Sequence, residues 1–85
     1  MNDAECAVTV AAALQMGYRH IDTAENYENE RGVGEGIRNS GVTRREVFVT
    51  TKFNRKWHSV DGARQACEAS LKRLELDYID LLLVH

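Results

Sequence analysis

Apolar residues at Ala7, Val10, Ala11 and Leu14 recur at the i, i+3, i+4, i+7 spacing of a buried helical stripe. This predicts an opening helix that Asn2 or Asp3 can cap and Gly17 can end. Tyr18 to Thr23 reads as a short strand whose alternation puts Tyr18, His20 and Asp22 on one face, with Asp22 at its exit. After the polar turn Glu25-Asn26-Tyr27-Glu28, Asn29 can cap a second helix running to about Asn39. Val33 and Ile37 share one of its faces, and Gly41 suits its C-terminal stop. Thr43-Arg44-Arg45-Glu46 has capping-box spacing and leads into Val47 to Thr51, a β-branched strand that finishes at Lys52. Phe48, Thr50 and Lys52 share a face of that strand. A third helix, from Ser59 or Asp61 to Leu74, lays Ala63, Ala66, Cys67, Ser70, Leu71 and Leu74 along one side, with charges opposite. The last strand, Tyr78 to Val84, is apolar on both faces in its second half, as a parallel strand covered on both sides would be.

The predicted order is αβαβαβ with three parallel strands, so the fold class is α/β. Strand exits at 22, 52 and 85 are 30 and 33 residues apart, close to the ~30 residues of a repeating βαβ unit. The second helix is weak by propensity. Gly32, Gly34 and Gly36 each cost roughly 1 kcal/mol relative to Ala, so close packing against a neighbour has to supply the missing stability. These glycines do not read as a dinucleotide-binding loop. They lack the G-x-G-x-x-G spacing and follow Tyr27-Glu28-Asn29-Glu30 rather than an apolar strand.

Four polar side chains gather at or just past strand ends: Asp22 and Tyr27, Lys52, and His85. An acid, a phenol, an ammonium and an imidazole delivered this way are the parts of a proton-transfer site in a parallel α/β barrel. Singly, each has an ordinary structural reading: a turn cap for Asp22, a loop aromatic for Tyr27, a solvated charge for Lys52, a core histidine for His85. His20 and Asp22 on one strand face, with His85, form an alternative set that resembles the divalent-metal ligands of barrel hydrolases. Lys52 pointing at the same centre argues against a metal there.

The motifs Gly17-Tyr18-Arg19-His20-Ile21-Asp22-Thr23-Ala24, Tyr27-Glu28-Asn29-Glu30, Val33-Gly34, Thr51-Lys52 and Leu76-Asp77-Tyr78-Ile79-Asp80-Leu81 ending at His85, in this order, resemble the aldo-keto reductase family over nearly the whole chain. The resemblance implies a partial (β/α)8 TIM barrel and an oxidoreductase that reduces small aldehydes or ketones with NADPH. It puts the family's catalytic tetrad on Asp22, Tyr27, Lys52 and His85. Tyr27 would be the proton donor, Lys52 the group that tunes it, and Asp22 the anchor of Lys52, close to the nicotinamide ribose. His85 would orient the substrate oxygen. Many members carry Trp two positions after the catalytic Lys, where this chain has Asn54, with Trp57 three residues further on as the aromatic candidate for the substrate rim. A non-catalytic, nicotinamide-binding regulatory relative is the competing reading.

A complete barrel has eight strands and typically ~250 residues, so 85 residues are expected to form one partial domain. By comparison with the family it lacks the strand before the first helix and stops at the catalytic His. An open three-stranded piece exposes two edges and an apolar face, and the isolated polypeptide is expected to self-associate and to be inactive. Composition narrows the partners. With 44% hydrophobic and 28% charged residues and a net charge of -2, no polybasic surface points to nucleic acid or an anionic membrane. No run approaches the ~18 apolar residues of a membrane span, and the apolar stretch Ala7 to Met16 follows Asp3 and Glu5 rather than a positive leader region. Cys6 and Cys67, far apart and outside any C-x-x-C pair, read as free thiols, which suits a cytoplasmic protein.

Overall fold

Capping sets where the first helix begins. In the computed structural model, which describes all of residues 1–85, the Asn2 side chain accepts the Glu5 N–H at 2.8 Å while Glu5 accepts the Asn2 N–H at 3.2 Å. This reciprocal box starts α1, Asp3–Gln15. Gly17, at φ +109, turns the chain out of it. The elements that follow are β1 (His20–Asp22), α2 (Glu30–Asn39), β2 (Phe48–Phe53), α3 (Val60–Leu74) and β3 (Leu81–Val84), with single 3-10 turns at Glu25–Tyr27, Arg44–Glu46 and Arg55–Trp57.

The strands form one parallel sheet in the order β1-β2-β3. Asp22 pairs with Thr50, and Lys52 with Leu83. Alternation then divides the sheet. Ile21 and Val49 join Cys6, Val10 and Leu14 of α1, Val33 and Ile37 of α2, and Leu74 of α3 in the core. Each fully buried aliphatic side chain there contributes about 1.5–3 kcal/mol. The helices therefore cover one face, while His20, Asp22, Phe48, Thr50, Lys52, Leu81 and Leu83 stand on the other.

The glycines of α2 act as the sequence requires. A Cβ on Gly32 would lie 2.3 Å from the Asp3 carbonyl oxygen, and one on Gly36 2.7 Å from that of Ala7. Helix backbones approach this closely only where side chains are absent. Beside them, the carboxylate of Glu30, 2% exposed, accepts from Arg73 Nε at 2.7 Å and from the Thr51 hydroxyl at 2.6 Å. One buried acid thus joins α2, α3 and β2.

Several expected boundaries move. β1 begins at His20 rather than Tyr18. β2 does not finish at Lys52 but continues to Phe53, because β3 pairs that far and the His85 N–H donates to Phe53 O at 2.9 Å. β3 begins at Leu81 rather than Tyr78, since the Asp80 carboxylate, not a strand carbonyl, takes the Val49 N–H at 2.7 Å. Thr43 caps nothing with its side chain; the residues after it close a 3-10 turn instead of a capping box. Asn29 is the N-cap of α2 by position only, because its Nδ2 donates to the Met1 carbonyl oxygen at 3.1 Å. β3 is also not covered on both sides: Leu81 and Leu83 are each 41% exposed because they stand on the sheet face that no helix covers, and Val84, on the other face of this edge strand, is 51% exposed. Cys6 and Cys67 are free thiols. No helix is long and apolar enough to cross a membrane.

Candidate functional site

Strand register brings three of the four polar residues to one end of the open sheet face. Asp22 ends β1 at the level of Thr50, Lys52 lies two residues further along β2 at the level of Leu83, and His85 lies two residues beyond Leu83. Each step of two residues keeps the side chain on the same face, so the three form a staggered row across neighbouring strands. Tyr27 reaches the row from the 3-10 turn Glu25–Tyr27. That turn is seated by Ala24, which is fully buried, and closed by Glu28 in the left-handed region at φ 58.

Lys52 is the hub. Its Nζ donates to Asp22 Oδ1 in an ion pair, with the lysine side chain 15% exposed and the aspartate 59%. The bond to Asp22 holds the ammonium above the usual lysine value; burial opposes this, and the charges of Asp22 and Tyr27 add to it. The same Nζ lies 5.4 Å from the centroid of the Tyr27 ring. Tyr27 in turn meets the His85 ring edge-to-face, with centroids 5.9 Å apart and planes at 88°. The four residues expected from the sequence are brought together.

Trp57 is not part of this set of contacts. It ends the turn Arg55–Trp57, where its carbonyl approaches Gly62 of α3 and Lys56 Nζ lies 5.5 Å from its ring centroid. Polar neighbours to which the sequence assigned no role stand closer to the row. Asn26 Nδ2 lies 3.3 Å from His85 Nδ1, Asn54 Nδ2 donates to Asn26 Oδ1 at 3.2 Å, and the Asn54 N–H donates to Glu25 Oε2 at 2.8 Å. Asn54 had a signal, as the departure from the expected Trp; Asn26 and Glu25 had none. The alternative metal set is otherwise engaged: His20 Nε2 is 2.9 Å from Thr50 Oγ1, and Asp22 is paired with Lys52. No three His, Cys, Asp or Glu side chains gather as ligands.

The surface clefts lie elsewhere. One of about 550 Å³ runs between α1 and α2 past Ala4, Val8, Ala11 and Glu35, whereas Asp22, Tyr27, Lys52 and His85 stand on an open face, with Tyr27 50% exposed. Chemistry, not concavity, marks this site. The sequence profile of the Aldo/keto reductase family matches residues 1–85. The chain belongs to that family. It is 54% identical over 81 residues to morphine 6-dehydrogenase of Pseudomonas putida, a match covering 95% of this chain and 27% of that protein. It is 49% identical over 84 residues to glyoxal reductase of Bacillus subtilis, covering 99% and 30% respectively. The solved aldo-keto reductase of Bombyx mori in complex with NADP superposes with a TM-score of 0.94 at 47% identity, over 100% of this chain and 29% of that one. The chain thus spans about 30% of the length of the curated relatives it matches. Its three parallel strands with their helices are part of a TIM-barrel aldo-keto reductase fold.

Proposed function

We propose that this chain is one partial domain carrying the proton-delivery side of an NADPH-dependent reductase that converts aldehydes or ketones to alcohols. The convergence of Asp22, Tyr27, Lys52 and His85 on one exposed end of the sheet carries this reading. The reductase and dehydrogenase names of its relatives support it.

Carbonyl reduction puts a hydride on carbon and a proton on oxygen. A bound nicotinamide supplies the hydride, which no side chain can donate. Asp22 is suited to hold the ribose: one carboxylate oxygen is committed to Lys52, while the other has no protein partner and the side chain is largely exposed. Tyr27 Oη donates the proton to the carbonyl oxygen. The Lys52 ammonium beside it stabilises the negative charge left on Oη, in an orientation set before reaction. Asp22 keeps that ammonium charged and aimed. His85 donates a hydrogen bond to the same carbonyl oxygen and so selects its approach. The free thiols of Cys6 and Cys67 suit a reducing, cytoplasmic setting.

A Tyr27→Phe substitution in the complete enzyme tests the assignment. Aldehyde-dependent NADPH oxidation should fall by about 10²- to 10⁴-fold, the usual worth of a positioned general acid, with cofactor binding retained. A rate near wild type would remove Tyr27 from the proton-donor role.

A further inference from the structure

We propose that Asn26 and Asn54 are positioning residues that hold His85 as the neutral tautomer with its proton on Nε2. The proposal rests on the orienting role assigned to His85 above and adds what fixes its proton.

The chain of hydrogen bonds starts at a backbone donor, whose polarity is not open to choice. The Lys56 N–H donates to Asn54 Oδ1 at 3.0 Å, which settles the end of the Asn54 amide that carries oxygen. The Asn54 N–H is tied to Glu25 Oε2 at 2.8 Å, so the residue is held on both its backbone and its side chain. With its oxygen committed, Asn54 presents Nδ2 to Asn26 and donates to Oδ1 at 3.2 Å. The Asn26 amide is thereby oriented in turn, and its Nδ2 faces His85 Nδ1 at 3.3 Å. An amide NH2 can only donate, so Nδ1 accepts and carries no proton. In a neutral imidazole the proton then sits on Nε2.

That placement matters for chemistry. Nε2 has no protein partner, and it is the nitrogen left for a ligand. With the proton on Nε2 it donates to a carbonyl oxygen; with the proton on Nδ1 it would present a lone pair to that oxygen, and two donors would collide at Asn26. Neither asparagine touches the reacting atoms. Both act through His85, whose backbone is itself fixed to β2 by its N–H to Phe53 O at 2.9 Å. Asn54 thus serves as a hydrogen-bonding link between the turn Arg55–Trp57 and Asn26.

The test is 15N NMR of the His85 ring in the full-length protein at about pH 8, above the ordinary histidine range. Wild type should show Nδ1 at a pyridine-type shift and Nε2 at a pyrrole-type shift. Asn54→Asp installs a group that only accepts. Its carboxylate takes the Lys56 N–H and draws Asn26 Nδ2 to itself, which turns Asn26 Oδ1 toward the ring and moves a proton onto Nδ1. A substitution two links away, touching nothing in the imidazole, should therefore change the ring's nitrogen shifts, and kcat for carbonyl reduction should fall by about 10²-fold. Asn26→Asp should do the same one link closer. A protonated Nδ1 in wild type, or an unchanged ring in both variants, overturns the proposal. If the shifts reverse while reduction persists, the asparagine relay stands and the orienting role of His85 falls, so the two failures are distinguishable.

Discussion

A Cβ on Gly34 would lie 1.9 Å from the carbonyl oxygen of Leu74, so α2 and α3 meet backbone to backbone at this point. Gly34→Ala must push the helices apart or distort them. Overpacking of this kind typically costs about 1–3 kcal/mol, set against the roughly 1 kcal/mol by which Ala favours a helix interior. A net loss in the urea midpoint is expected for Gly34→Ala in the full-length protein. The adjacent Glu35→Ala, on the exposed side of the same helix, should shift stability by no more than about 0.5 kcal/mol. Equal midpoints for the two variants would show that the helices separate freely.

Glu30 has its carboxylate almost wholly inside, with a side chain 1% exposed against 29% for its partner Arg73. Arg73→Ala leaves that acid without its cation, which should destabilise the protein by about 3–5 kcal/mol. Replacing both partners, Glu30→Leu with Arg73→Met, should recover part of the loss, because the apolar pair needs no cation while the buried Thr51 hydroxyl loses its acceptor. A double-mutant cycle from urea unfolding reads this directly, and additive losses would contradict it.

Lys52 gives a pH dependence with a defined sign. The folded state holds its proton more tightly than the unfolded chain, first through the bond to Asp22. The resulting stabilisation is complete below the ordinary lysine value of about 10.4 and is lost as pH rises through the raised value. Wild type should therefore lose stability on the alkaline side relative to Lys52→Met, and their urea midpoints should converge there. Curves that run parallel from about pH 8 to about pH 11 would mean that the pair contributes nothing to folding.

The open sheet face predicts behaviour of the 85-residue polypeptide alone. Phe48 is 45% exposed, and Leu81 and Leu83 are 41% exposed on the same face, beside the unpaired edge of β3. The polypeptide should form concentration-dependent oligomers in light scattering and show no turnover. A monodisperse, cooperatively unfolding, active monomer would refute this.

Much of the architecture was legible because it rests on short-range pattern. Of the predicted stripe, Ala7, Val10 and Leu14 face the core while Ala11 is half-buried beside a surface cleft, and the α2 glycines sit where backbones touch. Strand ends were less legible, since pairing sets them: Phe53 belongs to β2 only because Val84 lies opposite. Nothing in the local pattern shows what Glu30 and Asp80 do: one is buried beside Arg73 and the other takes the place of a ladder carbonyl at Val49. Motif order brought out Asp22, Tyr27, Lys52 and His85, and the fold brings them into contact. Asn26 and Asn54 come from turns 28 residues apart, and no local signal announces that they meet beside His85.

Lys52 lies within β2, between the buried Thr51 and Phe53. A strand can shift only by whole residues, and each single shift inverts its faces. One step would turn the ammonium into the helix layer and present the Thr51 hydroxyl to Asp22. For such one-residue slips the site is quantised: a molecule either displays its ammonium or conceals it. Damage to β2 should reduce the number of working molecules while leaving each survivor's affinity intact.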